Sequence, residues 1–382
     1  MKGISLLLAV VLVLCLLPTG AQAVELDIGG KSAFLMDVNT GTVLYEHNPH
    51  EQLAPASVTK VMTMLLIMEA VDSGKINLED TVTASEAAAA KGGSQIYLKV
   101  GETMSVSDML KSIAVSSAND CACAMAEHIA GSEAAFVDRM NSRAKELGMN
   151  DTNFVNCTGL DDGADAANHR TSAHDIALMS RELLKNHPDI KNFTTIWMDT
   201  VRGGAFGLSN TNKLIRFYSG ATGLKTGFTS SAGYCLSATA ERDGFELIAV
   251  VMGCTTSQER TAACKAMLDY GFANYAVVTP DLTENSTSVP VKLGKQTAIT
   301  ARLGGDTGLL IDKAQKNNVT TEVSLEESVT APVAQGQRLG TMTIKAGDLV
   351  LSEVPLVASE AVERLTFWDL FVKVLRRAAM AK

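Results

Sequence analysis

The sequence has no surplus of basic charge, with 33 Lys and Arg standing against 42 Asp and Glu for a net charge of −9. Binding to nucleic acid through a broad surface needs the opposite balance, so no nucleic-acid partner is expected. A membrane-spanning run is missing from the N-terminus too. The apolar stretch Ile4–Leu17 falls short of the roughly 20 residues that cross a bilayer. Lys2 precedes it, and Pro18, Gly20 and the small-x-small triplet Ala21-Gln22-Ala23 follow it, so residues 1–23 read as a secretory signal peptide. Leu14 is too bulky for lipoprotein processing at Cys15, which is therefore a residue of the leader's apolar core. The other cysteines, Cys121, Cys123, Cys157, Cys235, Cys254 and Cys264, lack a metal-binding pattern. Cys121-x-Cys123 has neither a second pair nor a histidine at zinc spacing. Their even number in an exported chain permits disulfides, but contexts such as "GYCLSA" and "VMGCTT" favour buried free thiols. No metal or cofactor is expected.

What is present is apolar substance. At 382 residues with 46% hydrophobic side chains, the chain suits two domains with a real core. "KSAFLMDVNTGTVLYEHN" reads as two strands around a turn at Asn39-Thr40-Gly41. Val58 to Val71 leaves scarcely any polar face, marking a helix buried on most sides and stopped at Ser73-Gly74. Between about residues 77 and 200 the spacing is mostly helical, with Ser105, Ser132 and Ser172 as N-caps. "GLKTGFTSSAGYCLSATAERDGFELIAVVMGCT" then alternates strand and turn, Arg242-Asp243-Gly244 being a hairpin signal. Strands at both ends of a helical middle predict an α+β domain over 24–275 whose sheet is completed by its first and last segments. Residues 276–357 form short β-like runs split by Gly, Asn and Asp, a small all-β domain. Residues 358–382 return to helical spacing. There Phe367, Trp368, Leu370, Phe371, Val374 and Leu375 share one face, opposite Asp369, Lys373, Arg376 and Arg377. Such a C-terminal amphipathic helix suits a membrane surface better than core packing, and is too polar to span.

Ser57-Val58-Thr59-Lys60 carries the candidate chemistry. With a helix starting just after Pro55, Ser57 sits in its first turn and Lys60 lies on the same face at i+3. Burial and the positive end of the helix both lower the lysine pKa, so that a neutral amine can take the serine proton. The pattern is weak alone, since Ser142-Arg143-Ala144-Lys145 repeats it in an ordinary helix. Two further patterns, each occurring once, give it weight: Ser117-Ala118-Asn119 and Lys225-Thr226-Gly227. Ser117 can relay protons beside Lys60, and Asn119 can hold a substrate amide as donor and acceptor at once. Lys225 adds positive charge, Thr226 offers a hydroxyl to a carboxylate, and Gly227 lets an extended substrate approach the strand.

The ordered set SxxK, SxN and KTG resembles the penicilloyl-serine enzymes. The phrases "SAFLMDVNTGTVLYEHNPHEQLAPASVTKVMT" and "KTGFTSSAGYCLSATA" are similar to the low-molecular-mass penicillin-binding proteins of the peptidase S11 family, serine-type D-alanyl-D-alanine carboxypeptidases. The resemblance covers nearly all of the mature chain. It implies a β-lactamase/transpeptidase-like domain, an antiparallel sheet flanked by helices, followed by the β domain and an anchoring helix. It also implies an acyl-serine on the penultimate D-alanine of peptidoglycan stem peptides, β-lactam antibiotics as covalent inhibitors, and peripheral attachment to the outer face of the bacterial cytoplasmic membrane. Backbone N–H groups of Ser57 and Phe228 would form the oxyanion hole. Arg260, the only arginine in "TTSQERTAACKAML", is carried over as a binder of the terminal carboxylate. Phe228 departs from members with histidine after KTG. "NCTGLDDGADAANHRTSAHD" matches the family's pattern with His169 and Asp175 around a longer loop, and His169 reads as structural rather than catalytic.

The same motifs leave three rival readings. A class A β-lactamase shares the motifs but needs a glutamate to activate the deacylating water, and no Glu-x-x-Asn stands at the expected place. The others are a DD-endopeptidase cutting cross-links and a non-catalytic wall-binding module.

Overall fold

The computed structural model describes Leu26, residues 28–279, Leu282, and residues 287–305 and 308–380. The expected leader, 1–23, lies outside the described residues. The principal elements of the first domain are β1 (Ser32–Asp37), β2 (Val43–His47), α1 (Lys60–Asp72), α2 (Val106–Ser116), α3 (Asn119–Ala130), α4 (Glu133–Glu146), α5 (Ala173–Asn186), β3 (Ala221–Thr229), β4 (Gly233–Arg242), β5 (Phe245–Cys254) and α6 (Ser257–Asn274). The five strands form one antiparallel sheet in the order β2-β1-β5-β4-β3. The first and last segments of the domain thus meet at its centre, as the sequence predicts.

Both faces of this sheet are covered, which explains why β1 and β5 read as unbroken apolar runs. Side chains alternate along a strand. Phe34 and Met36 of β1, with Ile248, Val250 and Met252 of β5, enter the larger core beneath α1, α2, α3 and α5. Ala33, Leu35, Leu247, Ala249 and Val251 enter a second core closed by Ala263, Cys264, Met267 and Leu268 of α6. The β4–β5 connection places Asp243 at φ 51° and Gly244 at φ 75°, the left-handed pair that a two-residue hairpin requires. Helices α2, α4 and α5 begin where Ser105, Ser132 and Ser172 accept hydrogen bonds from backbone N–H groups one turn on.

Helix α1 is buried almost all round: Val61, Met62, Met64, Leu65 and Ile67 are fully excluded from solvent. Each such side chain contributes roughly 2 kcal/mol on burial, an apolar setting able to hold one desolvated lysine in place. The α-helix starts later than the sequence predicts. Ala56–Thr59 is a separate 3-10 turn and Lys60 is the first α-helical residue. The physical reason lies at Ala56, whose φ of 48° breaks helical continuation, and at Thr59 Oγ1, which donates to the Ala56 carbonyl at 2.8 Å.

After α6, Tyr275–Val278 pairs antiparallel with Leu309–Asp312. The remaining strands are β6 (Ser288–Lys292), β7 (Ala298–Leu303), β8 (Val319–Leu325), β9 (Val329–Thr330), β10 (Arg338–Ala346) and β11 (Leu349–Ala358), ordered β8-β10-β11-β7-β6-β9. They enclose a core of their own around Val289, Ile299, Leu339, Met342, Ile344 and Leu356. Bridges Val333↔Val362 and Gly294↔Arg364 extend the pairing along the chain, and α7 (Phe367–Met380) follows. Among the described residues no helix is long and apolar enough to cross a membrane.

Candidate active site

The site is assembled where three segments meet at the 3-10 turn. In that turn Ala56, Val58 and Thr59 are buried, while Ser57 is half-buried at the surface of the cleft. Lys60 Nζ, fully excluded from solvent, lies 2.9 Å from Ser57 Oγ and donates to the Thr158 carbonyl at 2.8 Å. Desolvation by burial pulls the Lys60 pKa down to about 7, against smaller opposing contributions from Cys157 and Asp120. A neutral amine keeps an N–H for Thr158 and directs its lone pair at the serine hydroxyl.

The Thr158 carbonyl is a partner of Lys60 that none of the three motifs includes. Its signal was Gly159, in the "TGL" phrase. At φ 82° this glycine packs so tightly that a Cβ would fall 1.8 Å from the Ala56 carbonyl oxygen. His169 fixes the same turn from below: its Nε2 lies 2.7 Å from Thr59 Oγ1 and its Nδ1 accepts from Val155 N at 3.1 Å. Thr59 Oγ1 already donates to Ala56, so the ring is the neutral Nε2–H tautomer. Burial, with Arg170 and Lys60 adding to it, lowers its pKa to about 4. This geometry fits the structural part expected of His169. Asp175 likewise braces a loop, its carboxylate accepting from Asp151 N and Thr152 Oγ1.

Ser117 ends α2 in the left-handed conformation, φ 63°, and Asn119 opens α3. Among the described residues five buried side-chain polar atoms have no partner, and three of them are Ser117 Oγ, Asn119 Oδ1 and Arg260 Nε. Leaving such a group unpaired costs about 1–3 kcal/mol, so their concentration here marks a place built to receive hydrogen bonds. Asn119 has one amide hydrogen already donated to the Gly92 carbonyl at 2.7 Å, which leaves its oxygen as the group free to accept.

Lys225, Thr226 and Gly227 lie within β3, beside the Ser57 turn. A Cβ on Gly227 would sit 2.6 Å from the Pro55 carbonyl oxygen and 3.1 Å from Ser57 N, so glycine is what allows the strand to approach. Lys225 is buried, and its pKa is held well below the ordinary value by desolvation, Lys60 and Arg260. Thr226 Oγ1 donates to Thr211 Oγ1 at 2.7 Å, and Thr211 N donates to the Val115 carbonyl, tying β3 to the end of α2 two residues before Ser117. Arg260 is buried in α6 and spends Nη1 on the carbonyls of Gly227 and Cys235, so it braces the KTG strand instead of standing in solvent. Phe228 is 53% exposed and packs on Tyr234, ring centroids 4.3 Å apart. The repeated pattern at 142–145 is different in kind: Ser142 and Lys145 are both exposed, and Ser142 Oγ donates to the Asp138 carbonyl. All six described cysteines are free and buried.

Comparison with known sequences decides what this arrangement belongs to. The profile of the D-alanyl-D-alanine carboxypeptidase family, peptidase S11, matches residues 19–256. The chain belongs to this family. A profile for the C-terminal domain of penicillin-binding protein 5 matches residues 279–364, over the β domain. D-alanyl-D-alanine carboxypeptidase DacF of Bacillus subtilis is 46% identical over 354 residues, covering 91% of this chain and 90% of its own length. Penicillin-binding protein 5 of Haemophilus influenzae superposes with a TM-score of 0.72 at 30% identity, covering 89% of this chain and 99% of the other. The ampicillin-bound penicillin-binding protein D2 of Listeria monocytogenes matches 65% of this chain and 100% of its own, with a TM-score of 0.60 and 32% identity. The enzyme is a D-Ala-D-Ala carboxypeptidase of peptidoglycan metabolism, and the β-lactamase, endopeptidase and idle-module readings are not favoured.

Proposed function

We propose that Ser57 is the acylated nucleophile and Lys60 its general base, in a reaction that removes the terminal D-alanine from peptidoglycan stem pentapeptides. The observation that carries this is the fully buried Lys60 amine 2.9 Å from Ser57 Oγ. Ser57 Oγ attacks the penultimate D-alanine carbonyl while its proton passes to Lys60 Nζ. The C–N bond then breaks, the departing D-alanine nitrogen takes a proton through Lys60 and Ser117, and water hydrolyses the ester. Backbone N–H groups of Ser57 and Phe228 receive the developing oxyanion. Asn119 Oδ1 accepts from the substrate amide. Lys225 and Arg260 provide positive charge for the terminal carboxylate, and the Thr226 hydroxyl turns from Thr211 to donate to it. β-Lactams, with an amide in place of the D-Ala-D-Ala bond, stop at the acyl-enzyme, a reading supported by the ampicillin-bound Listeria relative.

The enzyme acts after export, on the outer face of the cytoplasmic membrane, held there by α7. Support comes from the exposure of Phe367, Trp368, Phe371 and Leu375 along one 14-residue helix that follows a complete β domain. The reaction is tested by mass spectrometry of a stem pentapeptide incubated with the enzyme. Loss of one D-alanine is expected; an intact pentapeptide, or cleavage only of cross-linked dimers, would overturn the assignment.

A further inference from the structure

Beside the Leu53–Thr171 backbone bridge, three segments bring together side chains that the carboxypeptidase reaction does not use. His50 lies on the arm that leads to Ser57, Asp151 follows α4, and His174 sits in the first turn of α5. One ligand atom from each lies within 4.8 Å of the other two. His50 Nδ1 is 2.8 Å from Asp151 Oδ2, and the two imidazole rings have centroids 4.6 Å apart. Two neutral imidazoles and a carboxylate are a donor set suited to zinc and related first-row cations.

The surroundings have the form of a ligand's support. His174 Nδ1 is 2.9 Å from Asp175 Oδ1, which orients the ring, fixes Nδ1 as the protonated nitrogen and leaves Nε2 to bind. Asp175 is itself buried and held by Asp151 N and Thr152 Oγ1 through its other oxygen. Ser172 Oγ donates to Asp151 Oδ2 at 3.0 Å, fixing that carboxylate. The second group with metal-ligand geometry, Glu69, Glu182 and His187, lacks this character: both glutamates are paired with Arg143, and His187 is hydrogen-bonded to Asp72. A cation there would have to displace a guanidinium.

We propose that His50, Asp151 and His174 form a divalent transition-metal site, with zinc as the fitting ion and water completing a tetrahedral shell. The metal fastens the arm that runs into the Ser57 turn to the start of α5. Next to it, Leu53 and Thr171 already exchange backbone hydrogen bonds, and His174 N donates to the Pro49 carbonyl. It is a structural fastening with one exposed ligand, His50, so it loads and unloads without unfolding the domain.

The test uses the tag-free mature chain after EDTA treatment and dialysis, titrated with cobalt(II) by visible absorption and with zinc by calorimetry. One equivalent of saturable binding is expected, and zinc raises the thermal midpoint by about 5 °C. His50→Ala, at an exposed position, weakens binding at least tenfold and abolishes the shift, while His128→Ala on α3 changes neither. Asp175→Asn lowers affinity about tenfold through the orientation of His174. Absence of saturable binding, or a His50→Ala chain that binds zinc as the unchanged chain does, would overturn the proposal.

Discussion

Gly159 is pressed against Ala56 so closely that a single methyl group on the glycine would overlap the Ala56 carbonyl oxygen, at 1.8 Å. Ala56 immediately precedes Ser57 and already holds a left-handed φ of 48°. Glycine at 159 is thus what lets this loop lie against the residue that precedes Ser57. Gly159→Ala must move the 56–59 turn or the 158–160 loop, and the latter carries the carbonyl that Lys60 uses. Penicillin acylation is expected to slow at least about 100-fold, as for other displacements of an ångström in a reacting pair. Gly163→Ala, with open space around it, leaves the rate unchanged.

The Lys60 pKa of about 7 fixes the acid limb of the pH profile. Below that value the amine is protonated and cannot accept the Ser57 proton. The acylation rate constant should rise about tenfold per pH unit below pH 7 and level off above it. Stopped-flow acylation between pH 5 and 9 measures this, and a flat profile would count against Lys60 as the base.

His169 gives a stability signature separate from catalysis. Its folded pKa, about 4, lies below the ordinary 6.5, so the unfolded chain binds the proton first as pH falls. The contribution is fully present above pH 6.5 and is lost as pH drops towards 4, by about 3 kcal/mol in all. Urea unfolding at pH 7 and pH 4 reads the difference. His169→Asn should remove that part of the pH dependence and be less stable at pH 7.

The place of the C-terminal cut matters for testing the anchor. Val362 bridges Val333, and Leu365 N donates to the Leu293 carbonyl, so residues up to 365 belong to the β domain's pairing. Truncation after Leu365 should release the protein from membranes with carboxypeptidase activity intact. Retention in the membrane fraction would remove α7 as the anchor. A cut after Ser359 would confound the result by exposing β-domain core around Val362, which is 1% exposed.

What could be read in the sequence, and what could not, follows from the range of the forces involved. The strands around Lys225 and Val250, and the helices opened by Ser105, Ser132 and Ser172, are set by local periodicity and capping, and they stand where the sequence puts them. The motif residues were legible because Ser57, Ser117 and Lys225 each carry a recognisable neighbour pattern. The 3-10 turn at 56–59 was not, because the left-handed φ of Ala56 goes with the close approach of Gly159, about a hundred residues away. Nor was the bracing of β3 by Arg260, since no local pattern marks a side chain that reaches two carbonyls of a neighbouring sheet. The short strand pairs Thr81–Thr83 with Thr103–Ser105 and Met198–Val201 with Phe206–Ser209 also escape notice, being too brief to show alternation.

On the proposed mechanism Ser57, activated by Lys60, is the residue acylated. Peptide mapping by mass spectrometry after brief exposure to benzylpenicillin tests it most directly. One penicilloyl adduct is expected on the peptide containing Ser57, none in Ser57→Ala with its unfolding transition preserved, and full labelling of Ser142→Ala. An adduct on any other residue, or labelling that survives Ser57→Ala, would contradict it.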